Sequence, residues 1–192
     1  MTSSPLLLAL GDSLVAGYGL AAADAFPVQL ERSLRRSSPQ ACVLNAGMSG
    51  DTAGDALRRL PGVLSRLDRR PDLAIVQVGP NDMLRQVPPG RTRADLDAIL
   101  GELGRCAVPV LVTTVEPPAF LRARADGYLA IHAEVAARHG AALWPFFPAG
   151  VLGHPAMVIG DRVHPNARAI AAVIDAMLPE VERLLAGRRR AA

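Results

Sequence analysis

Leu6-Leu7-Leu8-Ala9-Leu10-Gly11-Asp12-Ser13-Leu14 decides how this chain folds. A near-continuous apolar run behind Pro5 stops abruptly at a glycine, an acid and a serine. With no polar alternation, the run reads as a strand buried on both faces, and such strands belong at the centre of parallel sheets. Ligands of open parallel sheets gather outside the carboxyl ends of the strands, where the strand order reverses, and Ser13 falls just past such an end. Its hydroxyl is a candidate nucleophile. The competing reading is that Asp12 and Ser13 only cap the following helix, since both residue types accept hydrogen bonds from unpaired backbone N–H groups.

Working outward, Gly17, Gly19 and Leu20 form a loop, and a helix is expected from about Asp24 to Arg36. Asp24 would start it, Pro27 would lie in its first turn, and Phe26, Leu30 and Leu34 would face inward. Ala41 to Asn45 reads as a second strand. Leu57, Leu60, Leu64 and Leu67 mark a helix that Pro61-Gly62 should kink by removing a donor. Asp72 to Val78 is a third strand. Thr92 with Asp95 resembles a capping box opening a helix through Leu96, Ile99, Leu100 and Leu103. Pro109 to Val115 is a fourth strand, followed by a helix through Tyr128, Ile131 and Val135. Ala141 to Trp144 is a fifth strand. After a long loop, Pro165 should start a last helix that Gly187 ends. Five strand–helix alternations predict a three-layer α/β/α domain with a five-stranded parallel sheet, flavodoxin-like in class. A single domain over residues 1–187 is expected, with an Arg-rich tail at 188–192 expected to be disordered.

The chain has 192 residues, half of them hydrophobic, enough for one domain with a sizeable core. The formal charge of +3 equals that of Arg188, Arg189 and Arg190 alone, so the body is neutral and nucleic-acid binding is not indicated. All 21 basic residues are Arg and none is Lys, which excludes a Walker lysine, a Schiff base and a Ser-Lys dyad. No apolar run is long enough to cross a bilayer. The N-terminus carries no secretory pattern, so the expected location is cytoplasmic, or periplasmic or secreted if a leader was removed. Cys42 and Cys106 lack metal or redox spacing and read as reduced packing residues.

Chemistry converges on the loops after the strands, which in this class open on one sheet edge. They carry Ser13, Gly50, Asn81 and the stretch Asp161-Arg162-Val163-His164. Ser13 needs a base. His164 can serve, and Asp161, three residues earlier, can reach its other ring nitrogen, fix the tautomer and stabilise the imidazolium. Attack on an acyl carbonyl builds charge on oxygen. The N–H groups of Ser13 and Gly50 and the Asn81 amide are suitable donors, and losing one such donor typically costs ~10²–10³ in kcat.

Gly11-Asp12-Ser13-Leu14, the Gly50 of Ser49-Gly50-Asp51-Thr52, Gly79-Pro80-Asn81-Asp82 and Asp161-Arg162-Val163-His164-Pro165-Asn166 together resemble the four blocks of the SGNH (GDSL) hydrolases. The likeness spans about Leu6 to Ala186. It is greatest to the bacterial branch of multifunctional acyl-CoA thioesterases, arylesterases and lysophospholipases. The resemblance implies Ser13 as nucleophile, Gly50 and Asn81 as oxyanion donors, Asp161 and His164 as the rest of a triad, and no metal or cofactor. Pro80 stands where many relatives have glycine, which should stiffen that loop.

Other signals have blander accounts. His132 and His139 could suggest a metal pair, but no third ligand has suitable spacing, and a partly solvated helix edge is the simpler reading. His154 either lines the cleft or lies on the surface. Gly17-Tyr18-Gly19-Leu20-Ala21-Ala22 matches GxGxxA, yet the preceding strand has already ended and the second strand finishes in Asn45 rather than an acid, so it reads as a turn. Pro80, Met83, Leu84, Val87, Pro88, Pro117, Pro118, Phe120, Phe146 and Phe147 are apolar residues in loops. They are either satellite core or the wall of an acyl-chain cleft. The expected function is hydrolysis of small-molecule carboxylic esters or thioesters with an apolar acyl group through an acyl-Ser13 intermediate, without nucleic-acid partners or stable membrane insertion. Rival readings are a carbohydrate deacetylase or acyl esterase, and a non-catalytic flavodoxin-like binding module.

Overall fold

Strand β1 (Leu6–Gly11) pairs in parallel with β2 (Cys42–Gly47) on one side and β3 (Leu73–Gln77) on the other. Beyond β3 lie β4 (Val110–Thr114) and β5 (Ala142–Pro145), giving the all-parallel order β2-β1-β3-β4-β5. The strand order reverses between β1 and β3, so Ser13 leaves the sheet at the switch point. The molecule is described by a computed structural model covering residues 4–117 and 122–191.

Consecutive strand residues point to opposite faces, and each face of the sheet is sealed by its own helices. Leu7, Ala9, Leu73, Ile75 and Leu111 pack with α2 (Phe26–Leu34) and α8 (Ala167–Ala191). Leu8, Leu10, Ala74, Val76 and Val112 pack with α3 (Ala53–Leu64), α5 (Pro89–Arg105) and α7 (Ile131–Arg138). Leu7, Leu8, Ala9 and Leu10 are fully buried, which is why the run shows no alternation. Three short helices complete the described set: α1 (Ser13–Ala16), α4 (Pro80–Leu84) and α6 (Arg122–Ala125). Among the described residues no helix is long and apolar enough to cross a membrane.

The five strands and their helices lie where the periodicity predicts. Several helix ends lie elsewhere, and at Thr92 the reason is that its hydroxyl is taken by another segment. Asp24 sits in a separate 3-10 turn, Ala22–Asp24, and α2 begins only at Phe26 with Pro27 in its first turn. Thr92 does not open α5, which starts at Pro89. The Thr92 hydroxyl donates instead to Asp82, and Asp95 pairs with Arg91. A capping box does occur at Thr52 and Asp55, starting α3, which runs through Pro61 to Leu64. Helix α8 starts at Ala167 rather than Pro165, and Asn166 Oδ1 accepts the Ala169 N–H at 3.0 Å.

The tail also departs from expectation. Helix α8 continues through Gly187 to Ala191, so residues 188–191 are helical rather than disordered. A glycine inside a helix costs about 1 kcal/mol. Arg188 offsets it by donating to the Pro71 carbonyl at 2.7 Å and pairing with Asp72 at 3.2 Å. Cys106 is exposed rather than packed, and Cys42 is half-buried; both are unbridged.

Candidate active site

The apolar run of β1 ends at Gly11, where any side chain would collide with the Gln77 carbonyl at 2.5 Å and with Val15 at 2.6 Å. The chain therefore turns tightly into α1, with Asp12 as its cap accepting the Leu14 N–H at 2.9 Å. The cap is thus Asp12, and Ser13 is the first helical residue. Its Oγ lies 3.0 Å from His164 Nε2, 151 residues away in sequence.

His164 is held from three directions. Its Nδ1 lies 2.6 Å from Asp161 Oδ2, while Asp161 Oδ1 accepts the backbone N–H groups of Val163 and His164 at 2.9 and 3.0 Å. These backbone bonds, with the imidazole, pull the Asp161 carboxyl down to about 2. The Tyr18 ring, from the glycine-flanked turn after α1, lies against the imidazole with centroids 4.6 Å apart. The supporting loop is clasped by the Ile159 N–H to the His164 carbonyl and the Asn166 N–H to the Met157 carbonyl, both at 2.9 Å, around an antiparallel bridge between Val158 and Pro165. Asn166 Nδ2 adds a bond to the Ala156 carbonyl at 2.9 Å.

The donor side is assembled from the segments that follow three strands, with Ser13 opening α1, Gly50 in a loop and Asn81 in the first turn of α4. Gly50 adopts φ +88°, a left-handed conformation that favours glycine. The Asn81 amide donates to the Asp51 carbonyl at 3.0 Å and lies 3.4 Å from Asp12 Oδ2. It therefore touches both the residue after Gly50 and the residue before Ser13. Among the described residues the N–H groups of Ser13 and Gly50 have no acceptor, so both are available to a ligand oxygen. The Asn81 loop is tied down by fully buried Asp82, which accepts the Ala53 N–H at 2.8 Å and the Thr92 hydroxyl at 3.1 Å; burial raises the Asp82 pKa.

Several supporting residues have no spacing signal in the sequence. His132 is half-buried on α7, in keeping with a partly solvated helix edge, but it has a specific partner there. Its Nε2–H donates to the Val78 carbonyl at 2.8 Å, and its ring lies under Gly79. Burial lowers its pKa, so it is a neutral prop for the Asn81 loop. His139 bonds to Asp97 at 3.0 Å, away from His132, so the two do not form a pair. His154 is exposed and caps a 3-10 turn. Phe146 is core, packed on Phe26 with centroids 5.3 Å apart, and Pro117 is buried. Of these apolar residues that the structure describes, only Leu84, at the end of α4 rather than in a loop, is an exposed large hydrophobic group, and Tyr18, Met48 and Val163 join it from neighbouring segments. Pro118 and Phe120 lie outside the described residues.

Gln77 is the one member of the support that the sequence could have betrayed, as a polar residue inside an apolar strand. It is fully buried, its Oε1 has no partner among the described residues, and its Nε2 lies 3.4 Å from Asp12 Oδ2. Burial outweighs the hydrogen bonds to the Asp12 carboxylate and pushes its pKa from 3.8 up to about 6. The folded state therefore holds a proton that the unfolded chain releases, and stability falls as pH rises from about 4 to about 6, then levels off. Two pH units correspond to a cost on the order of 3 kcal/mol above that window. Asp12→Asn keeps an acceptor for Leu14 and can donate to a reoriented Gln77 amide. The expected result, in urea unfolding at pH 4 and pH 8, is a variant stabilised relative to the parent at the higher pH only. An equal difference at both pH values would contradict it.

A model of the GDSL-like lipase/acylhydrolase family matches residues 9–172. The chain is 33% identical over 180 residues to thioesterase 1/protease 1/lysophospholipase L1 of Escherichia coli strain K12, covering 93% of this chain and 84% of that one. It is 32% identical over 168 residues to an arylesterase of Vibrio mimicus, covering 87% and 83%. Among solved structures it is similar to AlinE4, an SGNH-hydrolase family esterase, at 38% identity with a TM-score of 0.77, covering 95% and 97%. It is also similar to TesA at 29% identity with a TM-score of 0.85, covering 93% and 99%.

Proposed function

The chain belongs to the GDSL-like lipase/acylhydrolase family, and from that premise we propose that Ser13, His164 and Asp161 carry out its reaction, with Gly50 and Asn81 completing an oxyanion site. The protein is a serine hydrolase of carboxylic esters and thioesters. The observation that carries the residue roles is the continuous line from Asp161 Oδ2 to His164 Nδ1 at 2.6 Å and from His164 Nε2 to Ser13 Oγ at 3.0 Å.

In this reading Ser13 Oγ attacks the acyl carbon while His164 Nε2 takes the hydroxyl proton. Asp161 remains ionised and holds the resulting imidazolium. The carbonyl oxygen, now negative, accepts from the Ser13 and Gly50 N–H groups. An Asn81 N–H joins them by exchanging its 3.4 Å contact with Asp12 for the oxyanion. Collapse breaks the bond to the leaving alcohol or thiol, which receives the proton from His164. A water activated by the same imidazole then releases the acid and restores Ser13.

Exposed Tyr18, Met48, Leu84 and Val163, on the segments that bear or adjoin these residues, support an apolar acyl group as substrate. The test is a chain-length series of paired 4-nitrophenyl esters and acyl thioesters, run beside acetylated sugars, with a fluorophosphonate label mapped by mass spectrometry. Turnover that rises with acyl length and a label on Ser13 are expected. Turnover confined to acetylated sugars would favour the carbohydrate esterase reading instead, and a label on another residue would overturn the role given to Ser13.

A further inference from the structure

Arg85 follows Asn81 by one turn, and its backbone N–H donates to the Asn81 carbonyl at 2.9 Å. From there its side chain reaches the Gly50 loop: a methyl group on Gly50 would come within 3.1 Å of Arg85 Nη2. An exposed guanidinium thus lies against the glycine given to the oxyanion site. The neighbouring acids are already engaged. Asp51 is bound by Arg59 at 2.7 Å, and Asp55 by Arg58 and the Thr52 hydroxyl. Asp82 is buried and turned toward Ala53 and Thr92, and the Asp12 carboxylate faces Leu14, Gln77 and Asn81. Among the described residues the Arg85 side chain has no ion pair and no hydrogen bond. This edge of the site therefore carries a guanidinium with no direct partner, and exposed Met48 and Leu84 lie on the same two segments; Asp55, whose direct partners are Arg58 and Thr52, feels Arg85 only through space.

We propose that Arg85 is a specificity-determining residue that receives an anionic group, a carboxylate, sulfonate or phosphate, carried by the ester a few bonds from the scissile carbonyl. A guanidinium is permanently charged, weakly hydrated and shaped to bind such oxyanions through two parallel N–H bonds. The preferred substrate is then an amphiphile, with its apolar part against Met48 and Leu84 and its charge on Arg85. The inference deepens the hydrolase reading and rests on the place given to Gly50 in it.

The experiment compares each anionic ester with a neutral isostere, so that a change common to both cancels. One pair, 4-acetoxybenzoate and its methyl ester, carries the charge on the leaving group. The other, mono-4-nitrophenyl glutarate and its methyl ester, carries it on the acyl group. For each pair the anionic-to-neutral ratio of kcat/KM is measured in the parent protein, Arg85→Gln and Arg85→Glu. In at least one pair the ratio should fall about fivefold in Arg85→Gln, the effect of one exposed charge pair of about 1 kcal/mol. It should fall further in Arg85→Glu and shrink in the parent at about 1 M salt, where the Debye length is about 3 Å. The pair that responds identifies the side of the ester that bears the charge. Ratios that neither substitution changes in either pair would overturn the proposal. Failure of the parent to cleave the neutral esters would instead remove the hydrolase reading, and the proposal with it.

Discussion

Ser13→Ala is expected to lower kcat on a 4-nitrophenyl ester by roughly 10⁴ to 10⁶, because removing a nucleophile leaves only binding and oxyanion stabilisation to act on attack by water. The fold should be indifferent to the change. Among the described residues the Ser13 hydroxyl bonds only to His164, and helix α1 is capped by Asp12 and anchored by buried Leu14 and Val15. Unfolding free energy should shift by no more than about 0.5 kcal/mol. A variant that keeps a tenth of the parent activity at unchanged stability would refute the assignment of the nucleophile.

Asp161→Asn is expected to cost about 10³ to 10⁴ in kcat, by a different route. The oxygen of the substituted amide still accepts the Val163 and His164 N–H groups, so the turn survives. Its NH₂, however, faces His164 Nδ1 and forces that nitrogen to accept. The ring proton then moves to Nε2, where it blocks uptake of the Ser13 proton. The lower end of the range is favoured because the Asp161 side chain is 35% exposed and water shares its work. With its pKa held near 2, Asp161 is ionised throughout the useful range, and its own protonation should leave no step in the pH–rate profile above about pH 4. Steady-state kinetics beside thermal unfolding checks both statements. Loss of activity that tracks loss of structure would assign Asp161 a merely structural part.

The sheet is legible in the sequence because strands buried on both faces spell continuous apolar runs, as residues 6–10 and 73–76 do. The pair of Asp161 and His164 is legible for a different reason: its geometry is local, set by three residues of spacing. What the sequence conceals is set by contacts between distant segments. Thr92 has the chemistry of a cap, and only the approach of Asp82 diverts it. His132 has the spacing of a partly solvated helix edge, and only the passage of Gly79 above it makes it a half-buried prop for the Asn81 segment. Phe146 leaves the last strand into a loop, yet the facing ring of Phe26 draws it into the core. Arg85 is one of 21 arginines with nothing local to mark it, and its meaning comes from Gly50, 35 residues earlier.

The nucleophile and the base have unequal anchorage. Ser13 leaves a deeply buried central strand, whereas His164 rides on a surface segment fastened by the clasp between Met157 and Asn166 and by the Tyr18 ring. A segment with so few buried contacts opens at a fraction of the free energy needed to melt the sheet. Warming is therefore expected to silence the enzyme before its core melts, with activity returning on cooling. Engineering for heat tolerance belongs at that clasp, since further cementing of an already solid interior leaves the weakest joint as it was.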